Sequence, residues 1–226
     1  MEQLKNGIAV HGTSYFAEDQ ILGKGQRNKT WVAERGKNIL LSVVLEADWM
    51  RVSDVFQMSV VTAIATHDFF SRHINQETYI KWPNDIYWRD RKAGGILIEN
   101  IIRGNIWQFA VAGIGMNINQ VQFDPNLPNP VSMKQITGKD FNVIDLAKEL
   151  CGCIENRYQE LQEKKFDQLL QYYNSVLYKK NEMVRLKKSN AVFECIVKEV
   201  NAFGQLITEG AAQDIYNFSE VEWVPD

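Results

Sequence analysis

Lys92 stands just before Gly94 and Gly95 in the run Arg91-Lys92-Ala93-Gly94-Gly95-Ile96-Leu97-Ile98-Glu99. Glycines at the start of a strand weaken it, unless something must pass close to the backbone. Lys92 can then aim its ammonium into the same space. A second segment, Lys81-Trp82-Pro83-Asn84-Asp85, is a good turn by composition. In a third, Gly23-Lys24-Gly25-Gln26-Arg27-Asn28-Lys29-Thr30-Trp31, glycines allow close approach and three cations suit a carboxylate or a phosphate. The same loop also reads as a solvated basic turn. It is not a Walker loop, because the Gly-Lys-Ser/Thr ending is missing. A fourth, Gly113-Ile114-Gly115-Met116-Asn117-Ile118-Asn119, closes an apolar strand with two amides. Asn117 and Asn119 can read an adenine edge or satisfy a turn.

Those segments need elements to hold them. Strands are predicted at 14–18 and 39–47, the latter nearly continuous in apolar residues, as a strand buried on both faces is. Ser53-Asp54 resembles a helix N-cap, and Val55, Phe56, Val60, Ala63, Ile64 and Phe70 follow at helical spacing. Strands at 78–82, 85–88, 95–102 and 106–114 are separated by the turn signals Pro83-Asn84, Arg89-Asp90 and Arg103-Gly104-Asn105. Residues 120–131 hold Pro125, Pro128 and Pro130 and read as loop. A long helix from Val143 would bury Ile144, Ala147, Leu150, Cys151, Ile154, Tyr158 and Leu161, and a second would carry Phe166, Leu169, Leu170 and Tyr173. From about residue 180 short strands at close spacing predict a small all-β module.

Composition narrows the function. The 226 residues are 45% hydrophobic and 23% charged, with a net charge of −3, so nothing draws the whole chain to nucleic acid or an anionic membrane. No apolar run is long enough to span a bilayer, and Met1-Glu2-Gln3-Leu4-Lys5 has no signal-peptide character. A cytoplasmic protein is expected. Cys151, Cys153 and Cys195 read as buried thiols, and His11, His67 and His73 make no ligand spacing with them, so no metal site is expected.

Taken together and in order, these segments resemble the catalytic domain of the biotin protein ligase family. The matching patterns are its G-R-G-R-R-G loop, K-W-P-N-D, K-x-x-G-[IL]-L-[IV]-E and G-[IV]-G-[IL]-N-[VL]-N, over about residues 8–224. Ser219-Glu220-Val221-Glu222-Trp223 is similar to its C-terminal cap. The resemblance implies an α+β fold: a mixed sheet covered by helices, class II synthetase-like, over residues 1–178, then an SH3-like barrel over 179–226. It implies biotin and ATP as substrates, Mg²⁺ beside them, and a biotin carboxyl carrier protein or domain as acceptor. A homodimer is left open, and no DNA-binding helix-turn-helix is expected. Lys92, Asp85 and Arg27 would be catalytic. Gln20, Gly23, Lys24, Gly25, Gln26, Lys92, Gly94 and Gly95 would bind biotin. Arg27, Trp31, Asn84, Lys92, Asn117 and Asn119 would bind ATP, with Trp31 near the adenine.

Two departures stand out. Lys24 and Gln26 replace arginines of the family loop; lysine keeps the charge without the planar fork, and glutamine loses the charge. The family's Ser-Thr-Asn motif has no counterpart here, and residues 1–7 resemble the end of the helix that follows it. A weaker hold on the biotin ring is therefore expected. Two alternatives accompany ligation: a protein that holds biotin or its adenylate with impaired transfer, and a lipoate-type ligase, against which K-W-P-N-D speaks.

Overall fold

A computed structural model describes residues 4, 7–21, 23–26, 30–74, 77–211 and 213–224. Six strands, β1 (Ser14–Phe16), β2 (Ile39–Glu46), β3 (Thr78–Lys81), β4 (Asp85–Trp88), β5 (Arg91–Arg103) and β6 (Ile106–Met116), form one sheet in the order β1-β2-β6-β5-β4-β3. The pairings between named strands are antiparallel, and isolated parallel bridges join Ile80 to Leu177 and Lys92 to Pro130. Three helices cover one face: α1 (Val55–His73), then, after the five-residue α2 (Met133–Thr137), α3 (Val143–Gln162) and α4 (Phe166–Ser175).

The period of two in a strand decides which face each residue serves. Ile39, Leu41, Val43 and Leu45 of β2 pack with Met58, Val61, Ile64 and Leu150 under the helices. Val44, between them, joins Val111, Ile101, Leu4 and Ala9 in a separate cluster on the far face. That double burial explains the unbroken apolar run. Each such side chain, fully buried, contributes about 1.5–3 kcal/mol.

Several expectations shift. Gly94 and Gly95 lie inside β5, which starts at Arg91 and not at residue 95. Asp54 is the N-cap of α1, but its side chain caps no amide; its carboxylate accepts hydrogen bonds from Arg51 and Ser53 instead. Ile144, read as core, is exposed, and Cys151 is half-buried with its thiol 3.6 Å from the Ser14 hydroxyl. Cys153 and Cys195 are buried. The short α2 was not foreseen, although Ser132-Met133-Lys134-Gln135 has the capping-box spacing and both reciprocal bonds form.

A polar network centred on Asp68 ties the three helices of the layer together. Asp68 of α1 accepts hydrogen bonds from Arg157 of α3 (2.8 Å) and from the Tyr172 hydroxyl of α4 (2.8 Å), with His67 Nδ1 3.8 Å away. Burial alone would raise the Asp68 pKa, but His67, Tyr172 and Arg157 together outweigh it and hold the carboxyl below its ordinary value. A carboxyl depressed in the fold adds stability above its unfolded pKa of about 3.9, and that stability is lost as pH falls through the folded value. Thermal unfolding followed from pH 7 to pH 2 should therefore show a loss below about pH 4. Asp68→Asn should flatten that loss and lower stability at pH 7 by about 1–2 kcal/mol, because Arg157 and Tyr172 lose a charged acceptor while Arg157 keeps Glu160 at 2.7 Å. A variant whose acid limb matched the parent would count against this network.

The C-terminal strands β7 (Met183–Lys188), β8 (Ala191–Val200), β9 (Leu206–Glu209), β10 (Ile215–Tyr216) and β11 (Glu222–Val224) form the SH3-like module, ordered β10-β9-β8-β7-β11. Before it, the chain runs along the outer edge of β3: the Ile80 amide donates to Val176 and the Tyr178 amide donates to Ile80, each at 2.9 Å. That cover hides an otherwise open sheet edge. No helix among the described residues is long and apolar enough to cross a membrane.

Candidate functional site

The far face of the sheet, away from the helices, gathers several of the candidate groups. Gly95 of β5 is paired with Gly115 of β6, and Gly113 lies two residues along on the same face. Three positions without Cβ atoms make a trough floor. The Trp31 indole lies flat on part of it. A Cβ on Gly115 would stand 2.4 Å from Trp31 Cε2 and 2.7 Å from Cζ2, and one on Gly95 would stand 3.4 Å from Cζ3. Above Gly113 a Cβ would meet only Leu97, so the floor there is open. The Trp31 indole N–H is buried, with no hydrogen-bond partner among the described residues.

At one side of the trough the Lys92 ammonium is 2.7 Å from Asp85 Oδ2 and 5.9 Å from the Trp31 ring centroid. Asp85 opens β4 directly across from Gly95. The hairpin geometry therefore brings cation, carboxylate and bare floor together, and the Trp31 indole packs onto them from a loop distant in sequence. Lys92 is also held by its backbone: its amide donates to Asn129, and its carbonyl accepts from Val131, both at 2.9 Å.

The glycine-rich loop is rooted beside the indole. The Trp31 amide donates to the Gly23 carbonyl at 2.9 Å, and Lys24 bridges Thr30. Gly23 is buried, and a Cβ there would strike the Trp31 carbonyl at 2.1 Å. Gln20 is exposed, with its Oε1 turned to this root, 3.3 Å from the same Cβ position. Lys24 is exposed, and Gly25 and Gln26 are half-buried. Arg27, Asn28 and Lys29 lie outside the described residues.

The remaining candidates are held as follows. Gly94 faces the helices, where a Cβ would strike Met116 Sδ at 2.0 Å, so only Gly95 of the pair serves the trough. Adjacent strand residues must face opposite ways. Asn84 donates its amide to the Ile96 carbonyl and accepts the Ile96 N–H at its own carbonyl (3.0 Å). Asn117 is buried and donates to Val131 at 3.1 Å. Asn119 clamps Phe141 from both sides, donating to its carbonyl at 2.8 Å and accepting its amide at 3.0 Å. These three amides hold backbone. Trp31 lies on the glycine floor beside Lys92. Gly113 and Gly115 were missed as floor residues, although strand alternation with Gly95 as partner would have found them.

The described residues contain no group of three or more His, Cys, Asp or Glu able to hold a metal. The arrangement suits two anions meeting at one ammonium, with a flat apolar body laid on the trough floor.

A family model described as Biotin/lipoate A/B protein ligase family matches residues 2–117. The bifunctional ligase/repressor BirA of Bacillus spizizenii is 26% identical over 210 residues, covering 92% of this chain and 64% of the relative. A biotin–[acetyl-CoA-carboxylase] ligase of Paracoccus denitrificans is 31% identical over 144 residues, covering 61% of this chain and 59% of the relative. The chain thus spans less than two thirds of the length of either relative. A structure of biotin protein ligase from Aquifex aeolicus in complex with biotin and ATP shares the fold, with a TM-score of 0.78 at 20% identity over 99% of this chain and 90% of that one.

Proposed function

Because this chain belongs to the Biotin/lipoate A/B protein ligase family, we propose that it activates biotin with ATP and transfers the biotinyl group to a lysine of a biotin carboxyl carrier domain. The observation that carries this reading is the Lys92 ammonium, fixed by Asp85 at 2.7 Å beside a glycine floor partly covered by Trp31. A biotin carboxylate oxygen attacks the α-phosphorus of ATP, the bond to diphosphate breaks, and biotinyl-AMP forms. Two anions must approach for this. Lys92 offsets their repulsion and the charge that builds as they react. The amine of the carrier lysine then attacks the acyl carbon, an amide forms, and AMP leaves.

Each element of the site supports a part of that sequence. The floor of Gly95, Gly113 and Gly115 lets a flat ring system lie on backbone. The Trp31 indole is an apolar cover for it. The loop rooted at Gly23 and Trp31 shields a mixed anhydride that water would hydrolyse. In this reading Asn84, Asn117 and Asn119 act by holding the strands and the 117–141 connection that surround the nucleotide. Asp85, already engaged by Lys92, is the carboxylate at the site, and the described residues do not make a resident Mg²⁺ cage. Mg²⁺ would arrive with the phosphates of the nucleotide. We place the reaction in the cytoplasm, where ATP is at hand.

The test is turnover. The purified chain, given ATP, should release diphosphate only when biotin is present, and a carrier domain should gain one biotinyl group by intact mass. Release driven by lipoate and not by biotin would move the assignment to the other branch of the family. Biotin binding without release would leave a binding protein.

A further inference from the structure

Lys81 opens the K-W-P-N-D turn, yet the reaction above gives it no role. Its ammonium lies among three rings: 4.5 Å from the centroid of Tyr87, 5.1 Å from Tyr178 and 5.0 Å from Trp223. It also donates to the Tyr87 hydroxyl at 3.3 Å. The rings come from three parts of the chain: β4, the connection after α4, and β11 of the C-terminal module. They touch one another, with Tyr178 5.1 Å from Tyr87 and 5.7 Å from Trp223. Such a box attracts a cation through the negative faces of the rings.

The next residue continues the contact. The Trp223 indole N–H donates to the Trp82 carbonyl at 3.1 Å, and the Trp82 indole N–H donates to the Gly204 carbonyl at 3.0 Å. Trp82 also meets Phe218 edge-on at 6.1 Å. Residues 81 and 82 are thus gripped by the C-terminal module. On the site side, Lys81 is the cross-strand partner of Asp85, so the two share the far face. Asn84, between them, is bonded to Ile96 of β5. The turn therefore joins the module at one end and the Asp85–Lys92 pair at the other.

We propose that Lys81 is a positioning residue: caged by Tyr87, Tyr178 and Trp223, it fixes the turn so that Asp85 holds Lys92 in place for acid activation. The C-terminal module, through Trp223, then sets the geometry of a step whose reacting groups all sit on the main sheet. A small misplacement of such a group costs rate far more than binding. This inference rests on the proposed ligation, and its test is chosen to stand apart from it.

Lys81→Met keeps the stem and removes the charge; Lys81→Arg keeps a cation in the box. Biotin-dependent diphosphate release, melting temperature and amide exchange at Ile96, whose N–H donates to Asn84, are measured for both. Lys81→Met should lower kcat about 10-fold or more, on the scale expected for misplacement, with KM for ATP little changed. Ile96 should exchange faster in it, while the amides of α1 stay protected. Lys81→Arg should recover most of kcat and of the Ile96 protection. Trp223→Leu, which opens the box from the module side, should act in the same direction as Lys81→Met. An unchanged kcat in Lys81→Met, or equal losses in the Met and Arg variants that track melting temperature, overturns the proposal. If the parent chain shows no biotin-dependent release, the ligation reading fails by itself. Ile96 exchange then decides this one, and protection unchanged in Lys81→Met overturns it.

Discussion

Lys92→Ala is expected to lower biotin-dependent diphosphate release by about 3 kcal/mol of barrier or more, at least roughly 100-fold, while ATP binding weakens much less. The ammonium works mainly where negative charge builds, between the attacking carboxylate and the phosphate, so its loss falls on kcat. The substitution also strips Asp85 of its partner at 2.7 Å and leaves a lone carboxylate facing two incoming anions. Lys92→Ala should therefore be slower than the double change Lys92→Ala with Asp85→Asn, which removes that repulsion. Single-turnover diphosphate release and calorimetric titration with ATP separate the two effects. A Lys92→Ala protein releasing diphosphate at the parental rate would remove Lys92 from the chemistry.

Gly115→Ala has the second-largest expected effect. The new methyl would stand 2.4, 2.7 and 2.8 Å from three atoms of the Trp31 indole. The ring has little room to yield, because it also rests on the face of Gly95 and its backbone amide is fixed to Gly23. Overpacking of this kind costs about 1–3 kcal/mol. Trp31 sits on top of the floor, outside the helical core, so the cost falls on the trough more than on folding. Biotin affinity should drop about 10- to 100-fold, the equivalent of about 1.4–2.7 kcal/mol. The melting temperature should move little. Calorimetric titration reads the affinity, and adding Trp31→Phe, a smaller ring, should restore part of it. Unaltered affinity in Gly115→Ala would mean that biotin does not use this floor.

Much of the fold is legible in the chain because local chemistry and tertiary packing agree. Ile39–Glu46 reads as a doubly buried strand, and it is one, with the helices against Leu41 and Leu45 and the small far-face cluster against Val44. The turn signals at Pro83-Asn84, Arg89-Asp90 and Arg103-Gly104-Asn105 fall between β3, β4, β5 and β6. Lys92 and Asp85 are named in the sequence only singly, their catalytic roles through the resemblance; their pairing comes from the hairpin that brings them together. Other parts of the site are not legible, for physical reasons. An asparagine has the same chemistry whether it reads a base or its own backbone, so nothing local shows that Asn119 is spent on Phe141. Trp31 reaches its floor from a loop distant in sequence, and that contact depends on packing alone. Lys81 is similar: its role depends on Trp223, which only the assembled structure sets beside it.

The pairing of β3 with β4, β4 with β5 and β5 with β6 makes the floor of the site one meander of consecutive strands. Contacts between chain neighbours close small loops and lose little entropy, so they form fast. The cover and the clamp are of another kind: Trp31 and Trp223 come from opposite ends of the chain and close long loops. During folding, then, the glycine floor is built early and stands uncovered until the two tryptophans arrive. Lys92 and Asp85, on that same meander, are then in place before the cover and the clamp close over them.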